Sequence, residues 1–231
     1  LLSSSVTQSF TTGSFNTLRL QQLLSQLGYL PLTWTPKSTA GISLSSANAE
    51  VSAAYQPPAG TFSWTGDYPS NLRDQWKAGS GNILDVGAVR AFESVTGLTM
   101  DGVAGPTVWS GLLSAAAKGT HNPNGYTYAL ASQTLPETIK IWHNGRLVLQ
   151  SAANTGIPAS PTADGTFPVY LRYYFQIMQG TNPDGSKYAD PVYYVSYFNG
   201  GDALHYFSRG GYGYNQSLGC VELPWDAAKK A

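Results

Sequence analysis

The chain is poor in charge and nearly devoid of sulfur. Its 231 residues include 13 basic and 13 acidic side chains, 11% of the total, for a formal net charge of zero. Charge this sparse and balanced excludes a basic surface for nucleic acid. One cysteine, Cys220, excludes an internal disulfide. The histidines are His121, His143 and His205. A zinc site built from them is disfavoured, because no carboxylate or second histidine stands at short ligand spacing to His121 or His143. No run of eighteen apolar residues occurs, so no membrane-spanning helix is expected. The opening stretch, LLSSSVTQSFTTGSF, has neither the basic n-region nor the apolar core of a signal peptide. A targeting segment is therefore absent or already removed, and the lysine-poor, Ser/Thr/Tyr-rich composition favours removal.

What is present divides in two. In SFNTLRLQQLLSQLGYLPL, Leu20, Leu23, Leu24 and Leu27 recur at helical spacing and Gly28 closes the segment. A second helix is expected over DVGAVRAFESVTGL, with Val89, Phe92 and Val95 on its inner side and Gly97 as its stop. A third follows Pro106, carrying Val108, Trp109, Leu112 and Leu113. Residues 32–84 between the first two helices are too long and too rich in Gly, Pro and Ser for a plain connector. They read as an insertion with short hairpin-like strands, whose aromatics Trp34, Tyr55, Phe62, Trp64, Tyr68 and Trp76 need something to pack against. Residues 121–126, HNPNGY, read as a linker. Beyond them the period changes: two strands flank Asn144-Gly145, a strong hairpin signal, and β-branched and aromatic runs continue to a final short helix at LPWDAAKKA. The expected fold class is a two-domain α+β chain. It comprises a small all-α three-helix domain with a long insertion, residues 1–120, then a mostly β domain, residues 127–231.

A lone thiol is either a small buried hydrophobe or a nucleophile. His205 stands fifteen residues before Cys220, across a loop, YFSRGGYGYNQSLG, flexible enough to bring the two together. An imidazole is the usual base for a cysteine nucleophile. Gly219 permits close approach, and the amides of Leu218, Gly219 and Cys220 are candidates to hold an oxyanion. No Asn or Asp identifies itself by spacing as the partner of the imidazole, and a backbone carbonyl near Tyr206 is the expected one. Tyr212 and Tyr214, in the glycine-rich loop, are candidate substrate contacts.

The order of these elements resembles a known family. LHYF followed by NQSLGCVELP is similar to the signature of the L,D-transpeptidase (YkuD-like) catalytic domain. Pro161, Gly165 and Phe167 in SPTADGTFPVYLR resemble a Thr-Pro-x-Gly-x-Phe element of the same family. Upstream, Leu20, Gln21, Gly28, Tyr29, Phe92, Gly97, Leu98, Asp101, Gly102, Gly105, Pro106, Thr107 and Trp109 resemble the peptidoglycan-binding domain of the three-helix type, with Val108 as an extra position.

The resemblance implies a YkuD-like β-sandwich with Cys220 as nucleophile and His205 as base and later acid. Ser217 and Gly219 would shape the catalytic loop, and no metal or organic cofactor is implied. It further implies attack on the third-residue carbonyl of a tetrapeptide stem, loss of D-alanine, and transfer to an amine of a second stem. Partners would be peptidoglycan stem peptides and glycan, with carbapenem β-lactams as covalent inhibitors, in an extracytoplasmic, secreted and cell-wall-associated protein. Family members carry a further strand after the helix beginning at Trp225, so the domain is expected to lack its C-terminal strand. Three positions depart from the pattern: Leu218 stands where the family often has histidine, Tyr206 where it has glycine, and Glu222 where it has arginine. Glu222 is therefore expected to favour a substrate ammonium and Arg209 to grip a carboxylate, with Leu218 and Tyr206 beside them. The alternatives are an L,D-carboxypeptidase using water, and an inactive wall-binding protein.

Overall fold

The computed structural model describes residues 15–38 and 47–231. The first helix, α1 (Thr17–Gln26), starts where the Asn16 side chain accepts the Arg19 amide at 3.0 Å. Leu23, Leu24 and Leu27 of the leucine stripe are buried and Leu20 is half-buried, but Arg19, Gln21 and Gln22 on the other side are buried too. The cause is the 32–84 segment, which covers α1. It consists of β1 (Leu32–Pro36), α2 (Ala47–Tyr55), β2 (Gly60–Trp64) and α3 (Ser70–Arg73). β1 and β2 form the expected hairpin, with Trp34 opposite Phe62; the two helices carried no periodic signal. Arg19 Nε donates to the Ala53 carbonyl at 2.7 Å, Gln22 to Pro58 at 2.9 Å, and Gln21 to Ser80 at 3.0 Å. These bonds satisfy the long polar side chains that the covering segment takes out of water.

α4 (Ile83–Thr96) and α5 (Pro106–Lys118) complete the core. Both end on a glycine in the left-handed region, Gly97 at φ 72° and Gly119 at φ 67°. Val89 and Phe92 are buried, but Val95 is 39% exposed, because 3.6 residues per turn carries the second step of three around to solvent. The three expected helices are α1, α4 and α5, and what the insertion adds to the expected strand pair is two further helices: among the described residues, five helices and a two-stranded sheet share one apolar core.

Residues 121–126 are tied down rather than a free linker. The Asn122 amide donates to the Leu27 carbonyl at 2.8 Å, and its side chain donates to Gly28 and Gly125. Tyr126, Tyr128, Leu130 and Trp142 pack into the N-terminal core from the β region. Gly66 and Gly145 meet back to back, so close that a Cβ on Gly66 would lie 2.5 Å from the Gly145 Cα.

The β region has two sheets. The first is antiparallel, β3 (Thr127–Ser132), β4 (Thr138–His143) and β5 (Arg146–Ala152), with Asn144 and Gly145 both at positive φ in the tight turn that their sequence announces. The second holds β6 (Leu171–Thr181), β7 (Lys187–Asn199), β8 (Asp202–Tyr206) and β9 (Val221–Leu223) in that order. β8 and β9 run parallel, with Leu204 opposite Val221 and His205 opposite Glu222. Between the sheets lie Ile139, Ile141, Val221 and Leu223, closed by Ala227 and Ala228 of α6 (Trp225–Lys230). The opposite face of the second sheet carries Val192, Val195, Tyr197 and Ala203, with Cys220 and Phe207 against them.

Asp85 bears on stability. It closes a capping box with Asn82 at the start of α4 and accepts Gln21 Nε2 at 3.0 Å, but its Oδ1 is buried without a partner. Burial raises its pKa from 3.8 to about 6. A raised carboxylate pKa stabilises the fold fully below the unfolded value, and that contribution is lost as pH rises from about 4 to about 6. Asp85→Asn should flatten this part of the thermal stability profile and raise the melting temperature at neutral pH, an effect on the order of 2 kcal/mol. Melting curves of both proteins across that range check it; parallel profiles would refute it.

Candidate active site

The parallel pairing of β8 and β9 puts the two candidate reactive groups on one face. Side chains alternate along a strand, so Ala203 and His205 share the face carrying Cys220 and Glu222, while Leu204, Tyr206, Val221 and Leu223 point into the space between the sheets. The Cys220 sulfur accepts the Ala203 amide at 3.4 Å. The His205 ring is 3% exposed, and its Nδ1 lies 3.0 Å from the Tyr206 carbonyl. A carbonyl can only accept, so Nδ1 carries the proton and Nε2 of the neutral ring is a free acceptor.

Both groups are held neutral. Burial pushes the Cys220 thiol up to about 12; the Ala203 amide opposes this, and the carboxylates of Asp202 and Glu222 add to it. Burial also lowers the His205 pKa below its usual value, against the Tyr206 carbonyl and Glu222, while Arg209 reinforces the lowering. At neutral pH the resting pair is therefore thiol and imidazole rather than thiolate and imidazolium.

The loop that presents Cys220 is braced by hydroxyls and backbone bridges. Ser217 Oγ donates to the Cys220 carbonyl at 2.6 Å and receives the Gly219 amide at 3.3 Å. The Gly219 amide is thereby engaged, which leaves those of Leu218 and Cys220 as oxyanion candidates. Gly219 sits at φ 113°, and a Cβ there would meet Asp202 Oδ1 at 2.3 Å, so glycine is required. Sequence reasoning missed Ser160 and Thr162. Ser160 Oγ donates to the Leu218 carbonyl at 3.1 Å; Thr162 Oγ1 donates to the Gly219 carbonyl and receives the Gly156 amide, both at 2.8 Å. Thr162 falls inside the stretch whose Pro161, Gly165 and Phe167 were noted, but nothing in its spacing tells which carbonyl it reaches. The hydroxyls of Tyr188 and Tyr197, on β7, lie within electrostatic reach of the sulfur.

Other predicted residues are placed differently. The Tyr206 ring packs on Trp225, 4.9 Å between centroids, on the face away from Cys220; only its carbonyl serves the site. Glu222 and Arg209 are not free for substrate charges, because they hold each other: Arg209 Nε and Nη2 reach the two carboxylate oxygens at 2.8 and 2.6 Å. Glu222 is 4% exposed and also receives Asn154 Nδ2. Tyr212 donates to the Phe207 carbonyl and braces the loop, whereas Tyr214 is 45% exposed at its surface.

A cavity of about 680 Å³ opens between α4 and the β region. It touches Leu204 and Val221, the inner face of β8 and β9, and so lies across the sheet from Cys220. Among the described residues, no group of three or more His, Cys, Asp or Glu side chains is placed to hold a metal ion. No described helix is long and apolar enough to cross a membrane.

Deleting the Thr162 hydroxyl strands the buried Gly156 amide. Thr162→Val should cost about 1–3 kcal/mol of stability and loosen the Gly219 carbonyl beside the thiol. Thermal unfolding together with the rate of Cys220 modification by an active-site-directed electrophile checks both; an unchanged melting point would sink the bracing role.

Comparison with known proteins gives the β region a family context. No curated protein matches the chain. Solved structures do. The chain is similar to an L,D-transpeptidase from Mycobacterium smegmatis, 24% identical over 46% of this chain and 54% of that one, with a TM-score of 0.41. It is similar to the catalytic domain of the E. faecium L,D-transpeptidase acylated by ertapenem, 26% identical over 45% and 85%, TM-score 0.40. It is also similar to L,D-transpeptidase 3 from Mycobacterium tuberculosis in complex with a faropenem-derived adduct, 21% identical over 45% and 53%, TM-score 0.41. The match spans about half the length of the first of these solved proteins. Residues 126–231, the part of the chain that carries His205 and Cys220, match the sequence model of the L,D-transpeptidase catalytic domain, the YkuD family.

Proposed function

We propose that this protein is a peptidoglycan L,D-transpeptidase that works through a Cys220 acyl-enzyme. The observation that carries the reading is the shared face of β8 and β9, with an imidazole whose Nδ1 is anchored on the Tyr206 carbonyl and a lone thiol two positions along the ladder on the same side. As the sulfur attacks the third-residue carbonyl of a tetrapeptide stem, Nε2 of His205 takes the thiol proton. The Leu218 and Cys220 amides hold the oxyanion. Collapse breaks the C–N bond, and the imidazolium gives its proton to the departing D-alanine amine. The amine of a second stem then attacks the thioester and yields its proton to Nε2, which returns it to the departing sulfur.

A thiol near 12 suits this sequence, because ionisation is deferred until a carbonyl is in place to receive the electrons. Residues 1–120 would hold peptidoglycan. In support, the motif residues shape real turns there: the Gly102 amide donates to Glu93 Oε2 at 2.9 Å, the Val103 amide to Asp101 Oδ1 at 2.7 Å, and Pro106 opens α5. The protein would act outside the cytoplasmic membrane, where its stem-peptide substrates lie.

Incubation with a carbapenem, followed by intact mass, tests the nucleophile. The expected outcome is one adduct on the native protein and none on Cys220→Ala; a folded native protein that stays unmodified would overturn the reading. The acylation rate should fall on acidification as His205 gains its proton, with the midpoint below the ordinary imidazole value. The ultraviolet signal of a thiolate should be absent at neutral pH, and its presence would show a preformed ion pair instead.

A further inference from the structure

His205 and Glu222 are direct cross-strand partners in the β8–β9 ladder, on the same face. Side chains so placed are neighbours on one face, and the Glu222 carboxylate acts electrostatically on the imidazole. The two do not bond. Glu222 faces Arg209 instead, accepting Nε and Nη2 as a bidentate fork. Nη2 also donates to the Gln216 carbonyl at 3.1 Å, and the guanidinium lies 4.6 Å over the Phe207 ring, which in turn meets the His205 ring edge to face at 6.3 Å. One side chain thus contacts the neighbour of the imidazole, the loop that carries the thiol, and the carboxylate that competes for the imidazole.

We propose that Arg209 is a positioning residue: by holding Glu222 in a two-point grip it keeps that carboxylate off the His205 ring, so that Nδ1 stays on the Tyr206 carbonyl and Nε2 stays bare for the Cys220 proton. The inference rests on the reading of His205 as the base of Cys220, and it adds a reason for the Glu222 and Arg209 pair. With the fork removed, Glu222 is a buried carboxylate without a cation, and the imidazole across the ladder is its nearest partner. His205 would then be drawn from Tyr206 and held protonated, unable to accept the thiol proton. The charged groups that act on His205 are Glu222 on β9 and Arg209 in the loop; Asp190 on β7 and Tyr212 in the loop act in turn on Arg209, and Asp202, Tyr188 and Tyr197 lie around Cys220 on the same face. Of these, Glu222 favours the imidazolium and Arg209 opposes it, in line with the geometry.

The test combines Arg209→Met, which keeps an apolar stem over Phe207, with Glu222→Gln and the double variant. The His205 ring protons are followed by NMR titration, and carbapenem acylation is followed by intact mass across the same pH range. In Arg209→Met the His205 midpoint should rise by about one unit or more, and acylation on the acidic side should slow about tenfold or more. In Glu222→Gln the midpoint should fall, and the double variant should return the midpoint and most of the rate toward native values. Native midpoints in both single variants would overturn the proposal, as would an Arg209→Met defect equal at every pH and not relieved in the double variant. Should Arg209→Met fail to fold, Arg209→Lys, which keeps a charge but cannot make the two-point fork, takes its place: the His205 midpoint should still rise, and a native midpoint in that variant would overturn the proposal. The NMR midpoint is independent of turnover, so a native protein that takes no carbapenem would fail the functional reading without failing this one.

Discussion

The parallel pairing of β8 with β9 is the constraint on which the rest depends. It is three residue pairs long, yet it decides which side chains share a face. A slip of one residue would send Cys220 and Glu222 into the space between the sheets and bring Val221 out. What prevents the slip is a rail formed by residues 153–157. The Ala153 carbonyl receives the Gly213 amide, Asn154 and Glu222 exchange backbone bonds at 3.0 and 2.9 Å, the Thr155 carbonyl receives the Gln216 and Ser217 amides, and the Ile157 amide donates to Ser217. Glu137, 2% exposed, fixes the rail by accepting the Thr155 amide at 2.6 Å and its hydroxyl at 2.9 Å. A polar group so deeply buried is satisfied by the bonds it receives, and here those bonds set the register of the face that carries His205 and Cys220.

The site was legible where its chemistry is local in sequence. One cysteine in the chain, a histidine fifteen residues earlier and a glycine between them single out a candidate nucleophile, a candidate base and a close approach, and the fold brings all three to one end of the β8–β9 pair. The Tyr206 carbonyl as partner of the imidazole follows from the absence of a suitable Asn or Asp nearby. Ser160, Thr162, Asn154 and Glu137 were not legible, because they lie between 58 and 83 residues before Cys220 in the chain and reach the loop only after both sheets have formed. The roles of Glu222 and Arg209 were misread for a similar reason: their spacing shows that each is near the thiol but not that they face each other.

The N-terminal part shows the same division. The helix stop at Gly97 and the Asn144-Gly145 turn carry their signal in a few residues, and they fall where the pattern places them. The covering of α1 does not. Gln21 and Gln22 look like solvent-facing residues of an amphipathic helix, and only the 32–84 segment, folded over them, explains why both are buried and bonded to backbone carbonyls. The aromatics of that segment also reach the β region: the Tyr68 hydroxyl receives the Gly145 amide at 2.7 Å, and the Asp67 amide donates to the Gly145 carbonyl. The insertion is therefore the clamp that seats the β4–β5 turn on the helical core.

The electrostatics of the face follow from this rigid seating. A solvent-exposed thiol beside an imidazole would ionise early and react with any electrophile. Here burial keeps both groups neutral, the fork of Arg209 occupies the nearest carboxylate, and Asp202 lies behind Gly219, adding to the thiol's reluctance to ionise. On the proposed reading, such a half-buried thiol ionises only as a bound carbonyl accepts its electrons and backbone amides take the charge that develops on the carbonyl oxygen. Reactivity would then come from the fit of the substrate against this face rather than from a preformed thiolate, because the same packing that brings thiol and imidazole to one face also raises the thiol pKa.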